Sequence, residues 1–292
     1  MVCRLTALSG CGSVSLLNGS SMEAALWMAL ALLGLGALAG LIGGMVGISG
    51  GMMTIPGLLA LFHYQGKIPP EHVMHFAIGT SLAAMVLNGI SATWVQSKRR
   101  AVRWEVVLKM SWGALGGALI GSWLAEHSSS TLLEKIFAIA AAIIGLYFLF
   151  IKIRRRADGT DGERVPRTGK LMLLGSFTGF LAGVLGIGGG IITVPILLHL
   201  RMKEHQAVAT SIALGLFTSF LVAVLFSWWG AEEVDLANSI GYVYLPAFLL
   251  LGIASFLVAP IGVDLSHKLS TVWLRKLFGA ALMGVALAMW FG

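Results

Sequence analysis

The residues best suited to chemistry in this chain are two clusters of glycine. Gly44-Met-Val-Gly-Ile-Ser-Gly-Gly-Met-Met-Thr-Ile-Pro56 returns without a gap as Gly183-Val-Leu-Gly-Ile-Gly-Gly-Gly-Ile-Ile-Thr-Val-Pro195. Each glycine weakens a helix by roughly 1 kcal/mol relative to alanine, so a run of them invites unwinding. Gly47, Ser49, Gly50 and Gly51 in the first copy, and Gly186, Gly188, Gly189 and Gly190 in the second, lie between apolar segments. A break deep in lipid leaves backbone N–H groups free at the start of the next helix, and such an N-terminus attracts anions. Thr54 and Thr193 place a hydroxyl beside those groups, while Pro56 and Pro195 are expected to keep the backbone irregular. Thr80, Ser81, Asn88, Thr210 and Ser211, set in otherwise apolar helices, can complete a polar substrate pocket. The plainer interpretation is that small residues at Gly-x-x-x-Gly spacing serve close helix packing alone. It fits either cluster taken singly and is weakened by the recurrence of the same Gly, Thr and Pro positions.

Other chemistry finds little material. No ionisable residue falls clearly at the middle of an apolar run, so no buried proton relay is expected. Glu105 and Lys109 read as an interfacial i,i+4 ion pair, and His75 as an interfacial histidine more readily than a functional one. Both cysteines, Cys3 and Cys11, precede the first apolar run, and no Cys-x-x-Cys or Cys/His spacing occurs, which excludes a disulfide framework or a metal site. Neither a nucleophile with its base nor a cofactor loop can be assembled, so an intramembrane enzyme is a distant third reading, and neither enzyme nor cofactor is expected.

The elements that position these residues follow from composition. With 57% hydrophobic and 11% charged residues and a mean hydropathy of +0.88, the chain has too little polar surface to face water, so its solvent is lipid. The net charge of +7 sits in loops between apolar runs rather than on a helix face. It therefore reports orientation in a membrane and not nucleic-acid binding. About 20 apolar residues cross the hydrocarbon core; such runs occupy 24–46, 52–64, 73–96, 104–125, 131–151, 171–185, 191–200, 207–229, 240–263 and 271–291. The second and seventh are too short, and each follows a glycine cluster. As a helix, 191–200 rises only about 15 Å, so it either thins the membrane around it or is re-entrant. Trp94, Trp104, Trp228 and Trp229 flank the runs as interface anchors. Residues 1–22 read as a poorly ordered extension, with Met22 an alternative start.

The chain also repeats itself beyond the glycines. Thr80-Ser81 corresponds to Thr210-Ser211, and Gly121, Leu133, Lys135 and Phe137 correspond to Gly262, Leu274, Lys276 and Phe278. The expected organisation is a first transmembrane repeat over 23–151, a basic cytoplasmic linker over 152–170 and a second repeat over 171–292. The basic loop 98–103 has an acidic counterpart at 231–235, a charge swap that follows if the second copy is inserted upside down. The expected fold class is thus an all-α polytopic integral membrane protein of two inverted five-segment repeats. Parallel repeats of four crossings are the alternative.

The duplicated Gly-x-[Gly/Ser]-Gly-Gly-x-x-Thr-[Ile/Val]-Pro motif, the Thr-Ser pairs and the Gly-then-Leu-x-Lys/Arg pattern before the last helix of each half resemble the TauE/SafE family of sulfite exporters and related permeases. The resemblance covers roughly residues 30–290. It implies a transporter of small anions such as sulfite, thiosulfate, sulfonates or other organosulfur acids, with the two glycine motifs as its substrate region. Two departures stand out: Ser49 where the second copy has Gly188, and Arg103 in Val102-Arg103-Trp104 where related sequences carry Asp, as Val234-Asp235 does here. The expected partners are a small anionic solute, the lipid bilayer and a coupling proton or cation, with no nucleic acid; the expected location is the cell (inner) membrane. The competing function is a non-transporting membrane scaffold or subunit.

Overall fold

The structure, a computed structural model, describes residues 19–47, 50–150, 167–233, 236–268 and 271–291. Among them the apolar runs become ten α-helices: α1 Gly19–Val46, α2 Gly51–Gln65, α3 Val73–Lys98, α4 Trp104–Glu126, α5 Ser130–Phe150, α6 Thr168–Leu185, α7 Gly190–His199, α8 Glu204–Glu233, α9 Leu245–Lys268 and α10 Thr271–Phe291. Six of them contain segments long and apolar enough to cross a bilayer, and the chain is a multi-pass, all-α membrane protein. Ser49, Val234-Asp235 and most of the linker fall outside the described residues.

Three expectations are corrected. Residues 19–22 belong to α1, and Ala231–Glu233 form the last turn of α8 rather than a loop. The ninth helix begins at Leu245, because Ser239–Ile240 (β1) and Val243–Tyr244 (β2) pair as an antiparallel hairpin. Gly241, at φ of 54° in the turn, supplies the left-handed backbone that so tight a reversal needs, and Asn238, just before β1, is left-handed as well at 65°. The hairpin drives Tyr242 into the bundle, where it is 1% exposed. Space for it comes from absent side chains: a Cβ at Gly79 would lie 2.6 Å from the Tyr242 carbonyl oxygen, and one at Gly230 2.5 Å from its nitrogen.

Glycine ladders hold the helices together. On α4, a Cβ at Gly113, Gly117 or Gly121 would lie 1.9–2.2 Å from the carbonyls of Met172, Ser176 and Phe180 on α6. Gly175 and Gly179 of α6 return the contact on Met110 and Ala114. On α1, Gly36, Gly40 and Gly44 meet Leu251, Ser255 and Ala259 of α9 in the same manner, at 2.5–2.6 Å. With lipid tails as apolar as leucine, such backbone approach, giving dispersion contact along whole helices, is the main source of association. The third major pair, α5 with α10, crosses at Gly145 and Gly279, each within 3.0 Å of the other's carbonyl when given a Cβ.

The order of contacts fixes direction. Gly36, Gly40 and Gly44 meet successively later residues of α9, so α1 and α9 run parallel, as α4 and α6 do by the same test. Gly79 lies by Phe226, Met85 by Ser219 and Gly89 by Leu216, so α3 and α8 run antiparallel at the centre of the bundle. Around them packs a core in which Phe62, Phe76, Phe137, Phe226 and Tyr242 are fully buried. Trp94, Trp104, Trp228 and many leucines stay exposed on the outside, as a lipid-facing surface requires.

Candidate functional site

Both glycine clusters break their helices. The N–H of Gly47 closes α1 on the Gly43 carbonyl and that of Gly186 closes α6 on Ala182, and both glycines adopt left-handed φ of 72° and 67°. This is the glycine C-cap, in which a missing Cβ removes the steric penalty of the left-handed region. Beyond the caps the two copies differ. Gly188 and Gly189 also have positive φ, at 62° and 73°, whereas Gly50 is helical at −56°. The sequence differs at the same place, Ser49 standing opposite Gly188.

The helices that follow start in the interior. α2 opens on the Gly50 carbonyl, which accepts from the N–H groups of Met53 and Thr54; α7 opens likewise on Gly189, with Ile192 and Thr193 as donors. A Cβ at Gly51 would meet Met85, midway along α3, and lie 2.8 Å from the Gly186 carbonyl oxygen, so the two breaks touch. From there α2 runs toward the start of α9, where Phe62 meets Tyr244 edge to face. α7 runs toward the start of α4, where Leu197 packs with Val106 and Met110. Two helix N-termini thus approach each other from opposite sides, each bringing first-turn N–H groups that have no partner within their own helix and the positive end of its dipole.

Pro56 and Pro195 sit inside continuous helix and not in irregular backbone, which corrects the expectation for them. Each lacks the N–H that would bond the carbonyl four residues earlier, at Met52 and Ile191, but the unwinding itself stays with the glycines.

A cavity of about 20 Å³ lies beside the breaks, lined by Gly47, Asn88, Gly190, Ser211 and Ser219 together with apolar atoms of α3 and α8. That is room for about one water molecule. No charged side chain lines it among the described residues. The Asn88 carbonyl oxygen, on a residue 5% exposed, has no hydrogen-bond partner. Ser211 donates to the Gly47 carbonyl at 3.2 Å and Thr218 to the Gly188 carbonyl at 3.2 Å, so α8 holds both breaks.

The predicted polar set divides. Gly47, Asn88, Gly190 and Ser211 share the cavity. Thr54 and Ser81 bond each other at 2.5 Å, and Thr193 donates to the Gly189 carbonyl at 2.8 Å. Thr80 and Thr210 point elsewhere: their hydroxyls accept the N–H of Tyr244 at 3.0 Å and of Arg103 at 3.1 Å, at the entrances of α9 and α4. Thr218 and Ser219 are additions that the sequence reading passed over. Thr218 stands eight residues after Thr210 as Asn88 stands eight after Thr80, and that spacing was the available signal. Glu105 and Lys109 do pair, at 2.6 Å.

Comparison with known proteins agrees with this architecture. The sequence model of the family described as Sulfite exporter TauE/SafE matches residues 32–289. A "Probable membrane transporter protein" of Methanocaldococcus jannaschii is 28% identical over 252 residues, covering 85% of this chain and 90% of the relative. One of the same description from Haemophilus influenzae is 28% identical over 256 residues, covering 87% and 95%. A third, YunE of Bacillus subtilis, is 25% identical over 72% of this chain and 79% of its own. The chain belongs to the TauE/SafE family, a family of membrane transporters rather than of enzymes.

Proposed function

We propose that this protein is a secondary transporter of small anions in the cell (inner) membrane, with sulfite and related organosulfur or organic anions as its substrate class. The observation that carries this reading is the meeting of two glycine breaks, with the N-termini of α2 and α7 converging beside a cavity that holds no charged side chain among the described residues. Backbone dipoles in a dry interior select charge without burying a lysine or arginine, and they release a bound anion more readily than a fixed cation does. The family description, a sulfite exporter, supports the substrate class.

Inverted repeats moving by alternating access fit the packing. The pairs α1–α9 and α6–α4 are equivalent once the first five helices are exchanged for the last five, and α3–α8 and α5–α10 map onto themselves. The equivalence extends to single contacts: Gly121 on Phe180 matches Gly262 on Leu41, and Thr210 with Arg103 matches Thr80 with Tyr244. The antiparallel course of α3 and its counterpart α8 supports inversion over the four-plus-four parallel arrangement. Two similar half-structures, each able to take the other's conformation, are what rocking about a central site requires. The test is uptake of sulfite, thiosulfate, a sulfonate and an organic acid by the purified chain in liposomes. Saturable flux of one of these is expected; a purified chain inert to all of them would favour the scaffold reading.

A further inference from the structure

Away from the glycine breaks, at the face opposite the loop 98–103, several titratable side chains converge. Tyr242 places its hydroxyl 2.7 Å from Glu233 Oε2 at the end of α8, 3.2 Å from Glu126 Oε1 at the end of α4 and 3.4 Å from His72 Nδ1 just before α3. The His75 ring lies against Tyr242 with centroids 5.2 Å apart, and its Nε2 bonds the Ala125 carbonyl at 3.1 Å. Two buried atoms here have no partner: Glu126 Oε2, and Nδ1 of His75, a residue only 3% exposed.

Hydrogen counting constrains this group. A phenol has one hydrogen to give and accepts the rest of its hydrogen bonds. The shortest contact, to Glu233, takes that hydrogen. Burial and the adjacent Glu233 carboxylate push the Tyr242 hydroxyl up from its ordinary pKa, so it keeps the proton it donates. The contact to Glu126 is then a hydrogen bond only if Glu126 is the donor, as a carboxylic acid. Two ionised carboxylates on one hydroxyl would instead repel, and one would sit half-buried with an orphaned oxygen.

We propose that Glu126, bridged by Tyr242 to Glu233, is a proton-binding site, and that its proton latches α4 to α8 and the hairpin and so couples proton binding to closure of this face. The proton resides on the Glu126 carboxyl and is donated to the Tyr242 oxygen, which donates in turn to Glu233. On its loss Glu126 becomes a second anion against Glu233, and the latch between α4 and α8 is broken. The titratable groups that face Glu126 are Tyr242 from the hairpin, Glu233 from α8, His127 beside it and, through Tyr242, His72 and His75 of the α3 entrance. The cluster joins the end of α4 to the end of α8 and to the hairpin that leads into α9, so it ties together three elements at the face that alternating access must open and close. The coupling half of the proposal rests on the transport reading, whereas the proton site does not.

Infrared spectroscopy of the purified full chain, near neutral pH, tests the site directly. A protonated carboxyl band is expected in the wild type, lost in Glu126→Gln and shifted in Tyr242→Phe. A spectrum that Glu126→Gln leaves unchanged overturns the site. Flux of sulfite into liposomes, measured against external pH, tests the coupling. A pH-dependent wild-type rate that becomes pH-independent in Glu126→Gln is expected, and a variant that keeps the wild-type profile overturns coupling. Should no variant and no wild type transport any probe, the transport reading fails and the infrared band still decides the proton site.

Discussion

Asn88 separates function from stability more cleanly than any other single residue. Its carbonyl oxygen is buried without a partner, and an unsatisfied buried acceptor costs about 1–3 kcal/mol. Asn88→Leu should therefore leave the melting temperature unchanged or raise it, while lowering anion flux about tenfold or more, the equivalent of at least about 1.4 kcal/mol of barrier. Thermal unfolding in detergent and liposome flux read the two effects on the same preparation. Thr80 and Thr210 should behave oppositely. Each accepts a backbone N–H at the entrance of a helix, so Thr80→Val or Thr210→Val should cost about 1–3 kcal/mol of stability, and to a similar extent at both sites. Their spacing in the sequence marked them as polar residues inside apolar helices, which was right, but not the direction of their hydroxyls. That depends on which backbone group arrives from the other half of the chain.

Among the elements, α4 and α6 offer a matched pair of substitutions. Gly179→Ala would place a methyl 1.9 Å from the Ala114 carbonyl oxygen, so the helices must separate and the yield of folded protein should collapse. Gly116→Ala, with nothing within 4 Å, should be neutral or stabilising by up to about 1 kcal/mol. Size-exclusion profiles of the two variants make the comparison. Most of the helices were legible in the sequence to within a few residues, α2 at Gly51–Gln65 against an expected 52–64 but α1 and α9 displaced by five at their starts, because apolar runs and glycine breaks are strong local signals. The hairpin before α9 was not: β1 and β2 have two residues each and sit in a stretch apolar enough to read as helix. With the hairpin hidden, Tyr242 could not be brought together with Glu126 and Glu233, whose meeting depends on three separate helix ends.

For the whole molecule, the antiparallel course of α3 and α8 makes a topological prediction. Cysteines placed at Lys98 and Lys203, in a background with Cys3 and Cys11 replaced by serine, should react with an impermeant label from the same side of the membrane. One at Glu232 should react from the other. Repeats inserted in the same direction would place Lys98 and Lys203 on opposite sides. The halves are alike in pattern and unlike in detail, Gly50 being helical where Gly189 is left-handed, and such inequality leaves the two sides of the site distinct.

The central claim is that the unwound backbone itself binds the solute, and Gly189→Ala is its most direct test. The nearest atoms to the added methyl are 3.5 Å away, so packing is undisturbed, but the φ of 73° costs a non-glycine residue about 1–2 kcal/mol and presses the break toward another conformation. Sulfite flux into liposomes by the purified variant should fall about tenfold or more, with a monodisperse profile and a melting temperature lowered by only a few degrees. Flux equal to that of the wild type would contradict the account.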